Sequence, residues 1–119
     1  MKYLFLDDIR HPYDAFNYTK QSMFLHKKWD IVRSYDEFVN YIVVNGLPDF
    51  ISFDHDLVDE HYIHNNIDEY KEKTGMECAR YLIDYCIENE KLCPEYYVHS
   101  MNTIGKENII SLLQQFKKL

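Results

Sequence analysis

Short apolar runs alternate along this chain with segments of helical periodicity, and this alternation constrains the fold more than any other feature of the sequence. Four of the runs are predicted strands, and they lie at Lys2–Leu6, Trp29–Arg33, Phe50–Phe53 and Tyr96–Ser100. Continuous apolar strands joined through helices are typical of a parallel sheet that helices cover on both faces. We therefore predict an α/β fold of three layers, in which a sheet of about four parallel strands has the spatial order 2-1-3-4.

Capping signals and apolar periodicity predict three helices. A Ser-x-x-Glu spacing at residues 34–37 opens a helix that Gly46 closes, and a Thr-x-x-Glu spacing at residues 74–77 opens another. The apolar residues of this second helix recur with the helical period, and they are Ala79, Leu82, Ile83, Cys86 and Ile87. A similar stripe predicts a last helix, and its residues are Ile109, Leu112, Leu113 and Phe116. The lysines at 117–118 suit the dipole of that helix.

Two connections follow neither the helical nor the strand period. Pro12–Lys28 is interpreted as a loop with at most one short helix. Leu57–Lys73 is long and polar for a connection in so small a domain, and such connections are often functional lids, so we expect it to cover the site. His61 and His64 lie in an acidic part of this connection, which is typical of a solvated loop more than of a second metal site.

Length and charge exclude several classes of protein. A chain of 119 residues, 46% of them hydrophobic and without a Gly- or Ser-rich linker, is long enough for one core, so residues 1–119 are predicted to form a single domain. A formal net charge of -7 without a Lys/Arg block disfavours duplex nucleic acid as a partner. Charge appears too early in the sequence for a secretory signal, and no apolar run has the length that spans a membrane.

The cysteines point to a reducing compartment. Cys78, Cys86 and Cys93 are an odd number without a Cys-x-x-Cys pair, which argues against a disulfide framework and against a zinc site. Cys78 and Cys86 stand eight residues apart on one predicted helix, so they share a face and are interpreted as core residues. We therefore expect a soluble, cytoplasmic protein.

Acidic residues follow the first and third predicted strands. Asp7 and Asp8 end the first, and Asp54 and Asp56 follow the third in the stretch "ISFDHDL". In an open α/β sheet, ligands bind beyond the carboxyl ends of the strands where the strand order reverses, so these two clusters should meet in one crevice. Neighbouring carboxylates repel each other unless a cation lies between them, and oxygen ligands favour Mg²⁺, Mn²⁺ or Ca²⁺, of which we expect Mg²⁺ or Mn²⁺. We predict a divalent metal held by Asp7, Asp8 and Asp54; the alternative for any one of them is a capping role.

The fourth strand and the last helix supply candidates for phosphate binding. The strand ends in His99 and Ser100, and the stretch "MNTIG" leads into a helix whose N-terminal N–H groups would suit an anion. Gly105 would let a ligand approach these groups closely. Arginine offers a two-pronged contact to phosphate and lysine adds charge. The predicted phosphate-binding residues are Arg10, Ser100, Asn102, Gly105 and Lys106.

Two histidines lie at the predicted strand ends and could transfer protons. His55 and His99 stand among the candidate metal and phosphate ligands, which suggests phosphoryl chemistry with histidine as general acid or base. Asp56, beside His55, is the third candidate catalytic residue. A histidine at a strand end often has a structural role, and this is the alternative interpretation for His55 and for His99.

Four stretches of the sequence, in order, resemble one known family. They are "LFLDDIRHP", "ISFDHDL", "TGMECARYL" and "VHSMNTIGKENI", and the family is that of the receiver-like domains described as cyclic-phosphate-processing. The resemblance spans nearly the whole chain. It implies a reduced receiver (flavodoxin-like) fold and a role in hydrolysing or otherwise processing cyclic phosphates on nucleotides or ADP-ribose derivatives.

The motif positions also imply a set of site residues. The resemblance places an acidic pocket at Asp7, Asp8 and Asp54. It assigns further site residues to the same three stretches: Arg10, His55, Asp56, His99, Ser100 and Asn102.

Two features depart from an ordinary receiver. The connection at 57–73 is longer than a short Gly-containing turn, and the sequence has no fifth strand with a lysine for the phosphoryl group. Phosphorylation of Asp54 is therefore disfavoured, although Ser100 stands where receivers keep a hydroxyl. We expect a metal-dependent phosphoesterase that acts on a small cyclic phosphate. The alternatives are a sensor that binds metal and a phosphorylated ligand, and a phosphoacceptor receiver that uses Asp54.

Overall fold

The computed structural model describes residues 1–57 and 74–118, and its four strands form one parallel sheet. The strands are β1 (Tyr3–Leu6), β2 (Trp29–Val32), β3 (Phe50–Phe53) and β4 (Glu95–Val98). Their order in the sheet is β2-β1-β3-β4, with parallel pairing throughout. The predicted fold class and strand order are confirmed.

Five helices are described. They are α1 (Pro12–Thr19), α2 (Met23–His26), α3 (Tyr35–Asn45), α4 (Gly75–Glu88) and α5 (Thr103–Lys118). The N-cap signals place α3 and α4 correctly: the hydroxyl of Ser34 accepts from the N–H of Glu37 at 3.1 Å, and that of Thr74 accepts from Met76 at 3.2 Å.

The interpretation of Pro12–Lys28 as a loop with at most one short helix is wrong, because this segment forms both α1 and α2. Local capping explains the first of them. Pro12 occupies the first helical position, and the Asp14 carboxylate accepts from the N–H of His11 at 2.9 Å. Lys20 then ends α1 in the left-handed conformation, with φ 58°. Eight residues with only Ala15 buried are too few for an apolar period to be visible in the sequence.

The two faces of the sheet carry different side chains. One face contributes Leu4, Leu6, Ile51, Phe53 and Val98, which pack against α3, α4 and α5 in the main core. Cys78 and Cys86 are buried in this core, as their shared helix face predicts. On the other face Phe5 packs against Ala15 and Phe24, which α1 and α2 contribute. The alternation of side chains along each strand produces this division.

The carboxyl edge of the sheet aligns the residues that follow β1, β3 and β4. The backbone pairing continues one residue past each strand: Asp7 donates to Val32 O at 3.1 Å, Asp54 to Leu6 O at 3.0 Å and His99 to Phe53 O at 2.9 Å. Alternation therefore places these three side chains on the same face as Phe5. They face one another below the edge where ligands of open α/β sheets bind.

Three interpretations fall outside the described part of the chain. The predictions of a lid at 57–73 and of a solvated loop at His61 and His64 lie outside the described residues, except for Leu57, which is buried. The side chains at 117–118 are likewise outside it. Among the described helices, none combines the length and apolar character needed to cross a membrane.

Candidate functional site

A cavity of about 230 Å³ opens at the carboxyl edge of the sheet. Its described lining combines three carboxylates, a guanidinium, a hydroxyl, an amide and two apolar side chains. These residues are Asp8, Ile9, Arg10, Asp54, Asp56, Ser100, Met101 and Asn102. The three loops that follow β1, β3 and β4 therefore all contribute to one site.

Asp7 lies directly beneath this cavity and is fully buried. Its Oδ1 accepts from the N–H groups of Ile9 at 3.0 Å and Arg10 at 2.8 Å, so the side chain fixes the turn after β1. Its Oδ2 accepts from Nε2 of His99 at 3.0 Å. Burial alone would raise the pKa of Asp7, but these hydrogen bonds outweigh it and hold the pKa well below its usual range. Asp7 is therefore a permanent negative charge under the site.

Asp54 is buried next to Asp7 but has fewer stabilising contacts. Its Oδ1 accepts from the N–H of His55 at 2.9 Å, and only 3% of the residue is exposed. Burial, together with the charges of Asp7 and Asp8, raises the pKa of Asp54 to about 7, against the opposing effect of Arg10. The site thus carries more negative charge than its own cations balance.

The side chains of Asp7, Asp54 and His99 could hold a metal ion, because one ligand atom from each lies within 4.8 Å of the others. Asp8 and Asp56 offer further carboxylates at the cavity lining. Carboxylate oxygens are the preferred ligands of Mg²⁺, and an added imidazole nitrogen also suits Mn²⁺. The donor set therefore fits a divalent cation, and a cation would relieve the repulsion that raises the pKa of Asp54.

His99 is held on every side within the fold. Its Nδ1 lies 2.6 Å from Oγ of Ser52, and its ring stacks on Phe5 with 4.5 Å between centroids. The hydroxyl of Tyr18 donates to its carbonyl at 2.5 Å. Burial lowers the pKa of His99, which favours a neutral ring that donates to Asp7 and accepts from Ser52. His99 is not among the described residues that line the cavity, and this arrangement supports positioning of Asp7 more directly than proton transfer to a ligand.

The Ser52→Ala substitution tests this buried chain. Ser52 contacts His99, and its removal leaves Nδ1 without its partner in a dry environment, so we expect a loss of about 1–3 kcal/mol in unfolding free energy. Chemical denaturation at pH 7 measures it. The exposed Ser22, whose side chain makes no capping bond, is the control, and Ser22→Ala should change stability by less than about 0.5 kcal/mol. Equal stability of the two variants would contradict the role assigned to Ser52.

His55 lies beside Asp56 and against Gly105 in the first turn of α5. Its Nδ1 is 2.9 Å from Oδ1 of Asp56, and Nδ2 of Asn102 is 3.3 and 3.4 Å from the two carboxylate oxygens. A Cβ at Gly105 would overlap the ring of His55, so the imidazole fills the space that the sequence analysis expected a ligand to use. The N–H of Gly105 donates to Oδ1 of Asn102 at 2.9 Å. His55 thus reaches the cavity through Asp56.

The predicted phosphate-binding residues divide into two groups. Arg10, Ser100 and Asn102 line the cavity together. The Arg10 guanidinium lies over the Tyr18 ring, 5.5 Å from its centroid. Lys106 lies elsewhere, with Nζ 5.8 Å from the centroid of the Tyr97 ring. Three of the five candidates therefore share the site.

Arg33 stabilises a loop of the site and was not identified in the sequence analysis. Its Nη1 donates to the carbonyl of Asp7 at 3.2 Å and to that of Arg10 at 2.5 Å, which holds the loop after β1. Arg33 could have been identified from its position directly after β2, because β2 lies next to β1 in the sheet. Ser52 was also missed, although a polar residue inside the run "FISF" marks it.

Comparison with known proteins identifies the family. The family model described as the cyclic-phosphate processing receiver domain matches residues 2–115. No curated protein and no solved structure matches this chain. The matched range includes all four strands and every described residue that lines the cavity. This chain belongs to the family of cyclic-phosphate processing receiver domains.

Proposed function

We propose that this protein hydrolyses a cyclic phosphate on a small nucleotide or ADP-ribose-type molecule, with the help of a divalent cation. One observation carries the proposal: the cavity combines three carboxylates with Arg10, Ser100 and Asn102, in a family named for cyclic-phosphate processing. Carboxylates suit a metal, and the guanidinium, hydroxyl and amide suit a phosphate.

The cation would be held by Asp54, with further ligands from Asp7 and Asp8. Mg²⁺ or Mn²⁺ would withdraw charge from a phosphoryl oxygen, which is the chemistry that such ions supply in phosphoryl transfer. The chain's own contribution to this charge balance is Arg10, whose guanidinium lines the same cavity. Arginine can contact two phosphate oxygens at once.

Proton transfer is assigned to Asp56 with His55. The Asp56 carboxylate lines the cavity and is hydrogen-bonded to His55, so it can accept a proton from an attacking water. The water oxygen forms a bond to phosphorus, the bond from phosphorus to one ribose oxygen breaks, and that oxygen takes up a proton. The proton taken from the water can pass from Asp56 to His55, and it can return through Asp56 to the ribose oxygen. The product is a phosphate monoester.

Phosphorus NMR of the purified protein tests the proposal directly. With Mg²⁺ or Mn²⁺ present, the resonance of at least one cyclic phosphate in a mixed panel should be replaced by that of a monoester, and EDTA should stop the change. Binding of ligand and metal without turnover would instead support the sensor. A stable phosphoryl adduct after incubation with acetyl phosphate, seen by intact mass, would support a phosphoacceptor at Asp54.

Arg10→Lys should weaken catalysis without unfolding the protein. Lysine keeps the charge but loses the two-pronged contact, so we expect kcat/KM to fall by about tenfold or more. The matched control is Arg80→Lys, because Arg80 is exposed and pairs with Glu77 on the surface of α4. If both variants turn over the substrate at the wild-type rate, Arg10 has no part in phosphate binding.

A further inference from the structure

Two exposed apolar side chains line a cavity that is otherwise polar. Ile9, from the loop after β1, is 73% exposed, and Met101, from the loop after β4, is 65% exposed. The Met101 sulfur accepts from Nη2 of Arg10 at 3.4 Å, which holds the thioether beside the guanidinium. Binding becomes more favourable when a ligand removes exposed apolar side chains from water. These two residues therefore favour a ligand with an apolar or planar portion.

The charges at the cavity disfavour a ligand with several phosphates. Arg10 is the one cationic side chain among the described lining residues, against three carboxylates. Two other cations are committed elsewhere: Arg33 to the carbonyls of Asp7 and Arg10, and Lys106 to the Tyr97 ring. A divalent metal and Arg10 carry three positive charges against the three lining carboxylates and the buried Asp7, so the site has no surplus positive charge. The phosphate that contacts the metal and Arg10 directly is the one anionic group that they can pair with. A second and third phosphate charge on the ligand would find no partner among the described residues.

The cavity is also small. Its volume of about 230 Å³ is below the range of about 300–1,000 Å³ that encloses a drug-sized ligand. It therefore takes in the cyclic phosphate and the sugar atoms next to it. The rest of the ligand must lie at the rim, where Ile9 and Met101 are exposed.

We propose that the substrate is a singly charged cyclic phosphate whose remaining part is an uncharged, planar group, as in a nucleoside cyclic monophosphate. Ile9 and Met101 are specificity-determining residues that contact this planar group. This inference rests on the proposed function and narrows it, because it sets nucleoside cyclic monophosphates above ADP-ribose cyclic phosphates, which carry two further phosphate charges.

Three probes with the same reacting group test the inference. They are 2′,3′-cyclic AMP, glycerol 1,2-cyclic phosphate, which lacks a base, and an ADP-ribose cyclic phosphate. We expect wild-type kcat/KM to be about tenfold or more higher for cyclic AMP than for either of the others. The double substitution Ile9→Ser with Met101→Ser should lower the ratio of kcat/KM for cyclic AMP to kcat/KM for the glycerol compound by about tenfold. Taking the ratio removes any effect that the loss of the Met101 contact has on Arg10, because that effect is common to both probes. Val44→Ser, at an exposed apolar residue of α3, is the control.

A second measurement is independent of turnover. In protein labelled at its methionine methyl groups, the Met101 resonance, assigned with Met101→Leu, should shift with cyclic AMP and Mg²⁺ but not with the glycerol compound. Turnover of all three probes at similar rates would overturn the specificity inference and leave the proposed function intact. Turnover of none would overturn the proposed function. A Met101 resonance that cyclic AMP does not move would then overturn the binding inference as well.

Discussion

Metal-free protein with Asp54→Asn is expected to be more stable than the wild type above pH 7. Burial and the charges of Asp7 and Asp8 raise the pKa of Asp54 from 3.8 to about 7, so its ionised form is disfavoured in the folded state. One pKa unit corresponds to about 1.4 kcal/mol, and some of the repulsion will relax, so we expect a gain of about 2–4 kcal/mol at pH 8. Asparagine keeps the oxygen that accepts from the N–H of His55.

The sign of the pH dependence follows from which state binds the proton. Between pH 3.8 and 7 the folded protein holds a proton on Asp54 that the unfolded chain releases, so the wild type gains stability as the pH falls through this window. The difference between Asp54→Asn and wild type should therefore shrink from its value at pH 8 to near zero at about pH 4. Comparing the two proteins at each pH cancels the titration of all other groups.

Chemical denaturation in EDTA at pH 4, 6 and 8 measures this effect. Asp84→Asn, at an exposed position of α4, is the matched control and should show no such dependence. Added Mg²⁺ or Mn²⁺ should offset this difference: it should stabilise the wild type, by about 2.7 kcal/mol at one hundred times its Kd, and leave Asp54→Asn unchanged. Turnover should fall by on the order of a hundredfold or more in the variant. A variant less stable than wild type at pH 8 without metal would show that burial and the charges of Asp7 and Asp8 do not disfavour the ionised form of Asp54.

The sheet and the long helices could be predicted because their signals are local. The run that forms β1 is apolar throughout and that of β3 is apolar except for Ser52, and the caps at Ser34 and Thr74 mark where α3 and α4 begin. The short α1 could not be predicted from periodicity, because its stability depends on end caps and on burial of a single alanine. The strand order followed from the general rules that connect parallel strands, and those rules hold here.

The sequence predicts which edge of the sheet carries the site, but it does not predict which side chains at that edge enter the cavity. The residues after β1, β3 and β4 meet at one edge because parallel strands end there. Which of two neighbouring residues enters the cavity depends on how far the backbone pairing continues. Because it continues to His99, that ring points into the layer beneath the cavity while Ser100 lines it. The predicted strand Tyr96–Ser100 includes His99, but the sequence does not show on which face of the sheet this ring lies.

The role of Gly105 could not be predicted from the sequence either. A glycine at a helix N-terminus is compatible with a bound anion, with a tight turn or with a close neighbour, and the sequence does not distinguish among these. In the structure the neighbour is His55, which lies 50 residues away in the chain. Only the packing of α5 against the loop after β3 decides the matter.

Gly75→Ala should be the most destabilising small substitution at the site. A Cβ at Gly75 would overlap the backbone carbonyl oxygen of Asp54 and lie 3.0 Å from the Cα of His55. The N–H of Gly75 donates to the carbonyl of His55 at 2.7 Å, so the start of α4 cannot move away without losing this bond. Because backbone atoms cannot rotate aside as a side chain can, we expect a loss of roughly 3 kcal/mol or more in unfolding free energy.

Gly105→Ala is the matched control, because it makes the same change in the first turn of another helix. Here the overlapping atoms belong to the His55 ring, which can turn aside, and alanine favours the helix by up to about 1 kcal/mol, so stability should stay within about 1 kcal/mol of wild type. Chemical denaturation compares the two variants. If the proton passes through His55 and Asp56, Gly105→Ala should also lower kcat while leaving metal affinity unchanged, whereas Gly75→Ala, which displaces the Asp54 backbone, should lower both. Equal stability of the two variants would mean that α4 can shift away from β3, and the position of Asp54 would then not depend on a glycine at 75.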